Sequence, residues 1–497
     1  MSPTTSKKVH NSFLRPLLVT ILLFVLAVVF SYPASQFVAF ARVAPPSTAR
    51  PKWPEHSVWI AYSPNPNYGQ APRKLKAATN VNVNGNCGYD AGGSLIGNWQ
   101  CDVLAPMPQS SDHHGVSIAL DKDNTPHISF YMEAAAPCPG DSGVPFGDLG
   151  YAVRLPSGNG NCGPGNQWRC DRVDRDDCRI IGESSSIAFD HTGKPYISYS
   201  DRELGSNGHI RLKIATPKSG GNCGPSNTWQ CDVLDEISGT WVGDYNSILI
   251  DNAGIVHVAY WDANEGDSTG AQLYAKRVGS GGNCGNGAWE CRKIDVEGNV
   301  GHFSGPRSMA IDRDGIVYIT SHKRIPPYSD LEGALRVNKY VGSGGNCGYD
   351  LSGNFVGDWE CENVEEVQRA GNWSSIVFDK QNIPHSFHGR FNEPRDISHA
   401  YYVGGGAGNC VPNSDWNCEI IQSAEYLTVS GDLYLHETPV VTFSDRNNRF
   451  LNVATKIPGN CGPSNDWDCQ VIDNTPNSGF PSGIWEKAIV AIKQKRQ

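Results

Sequence analysis

The chain has 497 residues, a formal charge of −10, 39% hydrophobic residues, 54 glycines and 32 prolines. Three basic and no acidic residues fall in the first 41, so the remainder carries about −13, a surface that excludes nucleic acid as the expected partner. So much Gly and Pro suits short strands and many turns, and sixteen cysteines in short local pairs point to an oxidising compartment.

Lys7, Lys8 and Arg15 precede a fourteen-residue apolar run, Leu17 to Phe30, and no charge follows until Arg42. This pattern marks residues 1–41 as a signal peptide or an uncleaved signal anchor. The uncharged interval from Pro16 to Ala41 is long enough to cross a bilayer as one transmembrane helix, while Ala39-Phe40-Ala41 resembles a cleavage site. On either reading the basic end stays inside and the rest is exported, so the membrane enters only through this segment. Residues 42–55 form a Pro-rich, semi-rigid linker, and residues 493–497 a basic tail.

Between 56 and 492 the chain repeats itself. A cysteine, a tryptophan and a second cysteine two residues beyond it recur at Cys87/Trp99/Cys101, Cys162/Trp168/Cys170, Cys223/Trp229/Cys231, Cys284/Trp289/Cys291, Cys347/Trp359/Cys361, Cys410/Trp416/Cys418 and Cys461/Trp467/Cys469. In the clearest copy, SIAFD (186–190), PYISYSD (195–201) and IRLKIAT (210–216) precede the cysteine hairpin, and CDVLD (231–235) closes the unit. These are four short strands A to D separated by turn residues, without helical periodicity. The fold class is therefore all-β, a seven-bladed β-propeller with four-stranded blades. The first copy has SVWIAYS (57–63) and RKLKAAT (73–79) but no A strand before them. A strand-like stretch from Ile484 to Ile492 is left over at the other end, so the ring is expected to close by pairing this C-terminal strand into the first blade.

Each cysteine is expected to bridge to the next one in its repeat, and the remaining two, Cys138 and Cys178, to each other. Spacings of seven, eight and fourteen do not resemble zinc knuckles, and no metal or cofactor is expected. Asp190/Gly193, Asp251/Gly254 and Asp312/Gly315 bound tight A-to-B turns. Asp121-Lys-Asp123-Asn124 and Asp312-Arg-Asp314-Gly315 also look like fragments of a calcium loop, but lack the third acid and distal Glu of one.

The repeat resembles that of exported bacterial propellers of the SIAxDxxGxPxISYxD type, best in Ser117–Phe130, Ser186–Asp201, Ser247–Asp262 and Ser308–His322. It is only loosely similar to sialidase-like propellers, whose SxDxGxxW box places Asp and Gly in another turn. The resemblance implies fold and compartment, not a function.

Function is sought where the repeat breaks its own pattern, in the B-to-C and D-to-A loops that share one face around the channel mouth. These supply His113 and His114 before the second blade, and Glu183, Asp201, Arg202 and Glu203 around the third. Around the fourth stand Trp241, Asp244, Trp261, Asp262 and Glu265. Blades five to seven add His302, Arg307, His322, Lys323, Arg324, Trp373, His388, Arg390, Tyr426, Asp445 and Arg446. The ligand-binding candidates are Trp241, Asp244, Trp261, Asp262, Arg307, His322, Arg324, Trp373, His388 and Arg390. Tryptophans beside a two-sided polar rim suit a polar ligand with an apolar face, such as a sugar. The plain alternative is that Asp201, Asp262 and Asp445 recur because Asp starts turns well.

Asp262 or Glu265 opposite His322 or His388 would make an acid and base pair, and the arginines would hold a carboxylate. No GxSxG nucleophile motif is present. Three classes follow: a propeller that binds a glycan or a surface protein, a carbohydrate-active enzyme (a sialidase-like hydrolase or an acidic-polysaccharide lyase), and a structural scaffold of an envelope assembly. Asn372-Trp373-Ser374 forms a glycosylation sequon, relevant only in a eukaryotic secretory pathway.

Overall fold

The structure, a computed structural model, describes residues 54–63, 73–107 except 91, 115–134, 147–176 except 156 and 157, 178–203, 210–236, 242–263, 270–296, 300–326 except 302 and 303, 332–391 except 368, 395–423 except 413, 426–445, 450–474 and 488–492. The signal or anchor segment, the linker up to residue 53 and the tail thus lie outside the described residues. No described helix is long and apolar enough to cross a membrane.

The described elements are strands and short 3-10 turns. The first repeat holds β1 (Val58–Tyr62), β2 (Arg73–Asn80), a short β3 (Cys87–Tyr89) and β4 (Leu95–Met107). The second holds β5 (Val116–Leu120), β6 (Pro126–Glu133), β7 (Gly147–Arg154) and β8 (Trp168–Asp174); the third, β9 (Arg179–Phe189), β10 (Pro195–Glu203), β11 (Ile210–Pro217) and β12 (Trp229–Glu236). The fourth holds β13 (Val242–Ile250), β14 (Val256–Asp262), β15 (Ala271–Arg277) and β16 (Trp289–Asp295). The fifth holds β17 (Met309–Ile311), β18 (Val317–Arg324), β19 (Gly333–Tyr340), a short β20 (Cys347–Tyr349) and β21 (Phe355–Glu366). The sixth holds β22 (Asn372–Phe378), β23 (Pro384–Arg390), β24 (Asp396–Tyr402) and β25 (Trp416–Ser423). The seventh holds β26 (Tyr426–Tyr434), β27 (Thr438–Asp445), β28 (Leu451–Thr455) and β29 (Asp468–Asp473), and β30 (Ala488–Ile492) follows.

Within a repeat successive strands pair antiparallel, as β9, β10, β11 and β12 do. β30 pairs antiparallel with β1, from Val58↔Ile492 to Tyr62↔Ala488, so the strand left over at the C terminus stands where the first repeat lacks its own. Two outer edges are also stitched to the preceding repeat, β3 to β29 through Tyr89↔Val471 and β20 to β16 through Tyr349↔Lys293.

Apolar residues are buried in layers between consecutive repeats. Leu149 and Tyr151 of the second repeat meet Ile187 and Trp229 of the third, and Leu335 and Val337 of the fifth meet Ala400 and Trp416 of the sixth. One layer joins the ends of the chain, with Val58, Ile60 and Trp99 against Val440 and Val453. Alternation along each strand explains this arrangement, because a strand packed on both faces sends successive side chains to opposite neighbours.

The first strands of neighbouring repeats touch without forming a ladder, and serines supply the missing bonds. Ser117 Oγ accepts from Ile187 N, Ser186 Oγ from Ile248 N, and Ser375 Oγ from Gly431 N. This is the physical content of the serine that opens the SIAFD motif.

The Gly-Asn-Cys triplet of every hairpin has a similar explanation. A Cβ on Gly221 would lie 1.8 Å from the carbonyl oxygen of Trp229, so only glycine fits. Asn222 then acts as a backbone surrogate: its Nδ2 donates to Cys231 O at 2.9 Å and its Oδ1 accepts from Cys231 N at 2.7 Å. The disulfides Cys87–Cys101, Cys162–Cys170, Cys223–Cys231, Cys284–Cys291, Cys347–Cys361, Cys410–Cys418 and Cys461–Cys469 close these hairpins. Seven bridges of this kind suit an oxidising, extracytoplasmic setting. Cys178 is also disulfide-bonded, and its expected partner Cys138 lies outside the described residues.

Candidate functional site

Several of the ionisable residues singled out in the sequence, Arg307, Lys323, His388 and Arg390, turn out to tie one repeat to another. The residue four places after the second cysteine of a hairpin ends a fourth strand, and in five repeats it is an acid that reaches the following repeat. Asp174 accepts from Tyr199 at 2.6 Å, Asp235 from Tyr260 at 2.6 Å, and Asp473 from Tyr62 at 2.8 Å and Lys76 at 2.7 Å. Asp295 takes Lys323 at 3.1 Å and Arg336 at 2.8 Å. In the fifth repeat the acid is Glu365, which lies 2.7 Å from His388 Nε2, accepts from Arg390 Nε at 2.9 Å and pairs with Arg390 Nη2 as well. Burial alone would raise the Glu365 carboxyl, but the bonds and charges of His388 and Arg390 outweigh it and hold the group at about 2.

His388 and Arg390 are thus engaged by Glu365, a residue not among the candidates named from the sequence. Asp201 is likewise enclosed by Arg179 at 2.5 Å, Arg211 at 3.0 Å and Lys213 at 3.3 Å. His322 is buried, its Nδ1 sits 2.7 Å from Ala370 O, and burial pushes its imidazole down to about 4. Arg324 stands two residues on, at Arg324↔Gly333, where its charge also lowers His322.

Arg307 has a different task. Its Nη2 lies 2.9 Å from Asp432 Oδ2 of β26, its Nη1 donates to Val490 O of β30, and its own carbonyl accepts from Ile376 N of β22 at 3.0 Å. The carbonyl of Pro306 accepts from Ser186 of β9 at 2.8 Å and Ser247 of β13 at 3.0 Å. Two consecutive residues therefore join five of the first strands.

The remaining candidates do converge. Three first strands are approached through a positive-φ glycine followed by a buried polar residue: Gly182-Glu183, Gly243-Asp244 and Gly371-Asn372. The glycine presses on the third strand of the preceding repeat, where a Cβ on Gly243 would meet Leu212 Cα at 2.9 Å. In the fourth and sixth repeats the next residue is aromatic, Tyr245 (φ 50°) and Trp373 (φ 53°), both in the left-handed region that bulky side chains rarely enter. Their rings meet edge to face at 5.9 Å, and Tyr245 meets Trp261 in the same way at 5.8 Å.

Asp244 stands opposite Trp261 in register, and Asp262 opposite Val242. Asp244 is 5% exposed and its Oδ1 has no hydrogen-bond partner among the described residues. The same holds for Asn372 Oδ1, whose residue is 1% exposed. The structure thus gathers Asp244, Trp261 and Trp373, adds Tyr245 and Asn372 that sequence reasoning missed, and buries both tryptophans against Tyr245. Trp261, 1% exposed, is packed wall here and not the open stacking platform expected of it. The sequon asparagine is buried with it.

Trp241, Glu265, His113, His114, His302 and Arg446 lie outside the described residues. Tyr426 pairs with Asp445 in the backbone register of β26 and β27. The turn acids act as expected of Asp: Asp121 Oδ1 accepts from the backbone N–H of Asp123 and Thr125, and Asp312 Oδ1 from those of Asp314 and Ile316.

No family model matches the sequence, and no curated protein matches it. Among solved structures the chain is similar to a protein of unknown function from Dyadobacter fermentans (TM-score 0.39, 8% identity, 75% of this chain and 98% of that one). It is also similar to polysaccharide lyase Uly1 (TM-score 0.39, 9% identity, 80% and 85%) and to a leech intramolecular trans-sialidase (TM-score 0.35, 8% identity, 86% and 86%). At such TM-scores these likenesses carry nothing over to this chain.

Proposed function

We propose that this chain is an exported or surface-anchored seven-bladed β-propeller that binds a glycan where its first strands begin. Each repeat is one blade, and β30 completes the first. Contacts of β30 with both β5 and β26, and the apolar layer joining the first and last repeats, support closure of the ring. Export rests on the basic-apolar segment before Arg42 and on the disulfides.

The observation that carries the binding site is the pair of buried acceptors, Asp244 Oδ1 and Asn372 Oδ1, beside two aromatic residues held at positive φ. A buried oxygen without a donor is costly, and strained backbone is kept where the surroundings demand it. Sugar hydroxyls are donors of the right kind for these two acceptors. Binding is favoured over catalysis because His322 and His388 are already engaged by Ala370 and Glu365.

A glycan array probed with the full chain, followed by calorimetry on the best ligand, tests this reading. Asp244→Ala should weaken binding by about 1.5–3 kcal/mol, the range for hydrogen bonds to a charged group. Arg292→Ala, on the outer strand β16, is the control and should leave affinity unchanged. Equal losses in the two variants, or no glycan retained at all, would remove the proposal.

A further inference from the structure

Between the sixth and seventh repeats a groove of about 750 Å³ runs along β25. Residues 418–423 of that strand line one side of it, and Asn460, Cys461, Gly462 and Pro463 of the next hairpin line the other. β25 ends its sheet among the described residues, so one margin of its backbone carries no ladder. Which groups point that way follows from the hairpin. Cys418 N donates to Asn409 Oδ1 at 2.6 Å, on the side away from β24, and in a strand the residue two places on faces the same way. That residue is Ile420.

The same margin is occupied at two other junctions. Val471 and Lys293 stand two residues after Cys469 and Cys291, as Ile420 does after Cys418, and they pair with Tyr89 of β3 and Tyr349 of β20. In both cases a Cys-Gly-Tyr segment of the following hairpin is the added strand. Asp90 N is spent on Ser94 O within the first of these hairpins, which leaves the neighbouring Tyr89 N–H to face outward, toward Val471. Three further junctions are covered differently: 3-10 turns at Pro164–Asn166, Pro225–Asn227 and Gly285–Gly287 pack on β4, β8 and β12.

The seventh hairpin does neither. Cys461-Gly462 is followed by Pro463 where β3 and β20 have tyrosine, and proline has no N–H to give a ladder. No 3-10 turn forms among its described residues. Asp466 pairs instead with Lys456, which also takes Glu419 of β25.

We propose that the margin of β25 docks an extended peptide segment of a partner protein, added as an antiparallel strand with a tyrosine opposite Ile420. Register and side chain are those of the molecule's own strands at Val471 and Lys293, and those two strands are already placed in their own junctions. Main-chain bonds give strand addition its affinity, and the side chain set in the groove gives it selectivity. Six residues of margin span about 17 Å, room for a strand of about five residues.

Fluorescence anisotropy on the full chain tests this with a labelled peptide copying residues 84–92 and carrying Cys87→Ser. A second peptide, N-methylated at the tyrosine nitrogen, keeps every side chain and loses one donor. The first should bind once per chain, and the second at least tenfold more weakly. Ile420→Pro removes the facing N–H from an edge strand, where proline is tolerated, and should cost the first peptide at least tenfold while leaving glycan binding unchanged. The comparison of the two peptides on the unaltered chain stands without that variant. No binding of the first peptide, equal binding of the two, or self-association of the chain that Ile420→Pro abolishes would overturn the proposal.

Discussion

The contact between the third and fourth repeats and the contact between the first and second share one plan and differ in chemistry. Where Asp235 accepts from the Tyr260 hydroxyl, the corresponding residues are Ala105 and Phe130, both buried in one apolar layer. The sixth and seventh repeats likewise face Gln422 toward a repeat whose second strand carries Phe443 in place of tyrosine. Acid goes with hydroxyl or cation, and non-acid goes with phenylalanine. The lesson is that the polar pairs are alternatives to apolar packing at the same seam, so their presence does not by itself mark a functional surface.

The difference is most sharply exposed by breaking the strongest pair. Glu365→Ala leaves the buried His388 and the partly buried Arg390 without their acid, and should lower stability by about 3–5 kcal/mol, read from urea midpoints. A loss below about 1 kcal/mol would mean that the pair is already solvated.

Acid titration should resolve two kinds of seam. Glu365 has a folded value of about 2 against an ordinary 4.5, so its stabilisation is complete above about pH 4.5 and lost as pH falls toward 2. His322 is buried neutral, with a folded value of about 4 against 6.5. The unfolded chain takes up that proton first, so its contribution is complete above pH 6.5 and lost between 6.5 and 4. Each window is worth about 3 kcal/mol per group. His322→Gln should reduce the upper window, which His385 (also lowered to about 4) shares, and leave the lower one intact, as followed by urea midpoints at stepped pH.

The smallest effect is the most discriminating. Asp235→Ala alone strands the Tyr260 hydroxyl and should cost about 1–3 kcal/mol, whereas Asp235→Ala with Tyr260→Phe copies the first seam and should recover most of it. If the double variant is no better than the single one, the two chemistries are not interchangeable.

Much of the architecture was legible because its signals are local. The recurring tryptophan two residues before the second cysteine marked the bridges, the Asp of the named turns bonds its own loop as expected, and the leftover C-terminal stretch does pair with Val58–Tyr62. The site was less legible because its signals cross between repeats. His388 and Glu365 are 23 residues apart on different sheets, and nothing in the periodicity of either strand says that they meet. Tyr245 looked like an ordinary strand residue, since a positive φ leaves no mark in the sequence when the residue is not glycine. The one available signal was the position after Gly182, Gly243 and Gly371, where Glu, Asp and Asn alternate in otherwise regular repeats.

The pairing of β30 with β1 also has a consequence in time. A ribosome delivers Val58–Tyr62 long before Ala488–Ile492, so the first repeat waits while all the intervening repeats are made for its partner strand. Every residue of β1 is buried in the finished molecule, which means that the nascent chain carries a bare apolar edge until Ala488–Ile492 emerge. Ribosome stalling or truncation between Asp473 and Ala488 would then release a species with its turns and bridges in place and one sticky margin, disposed to join with its own copies.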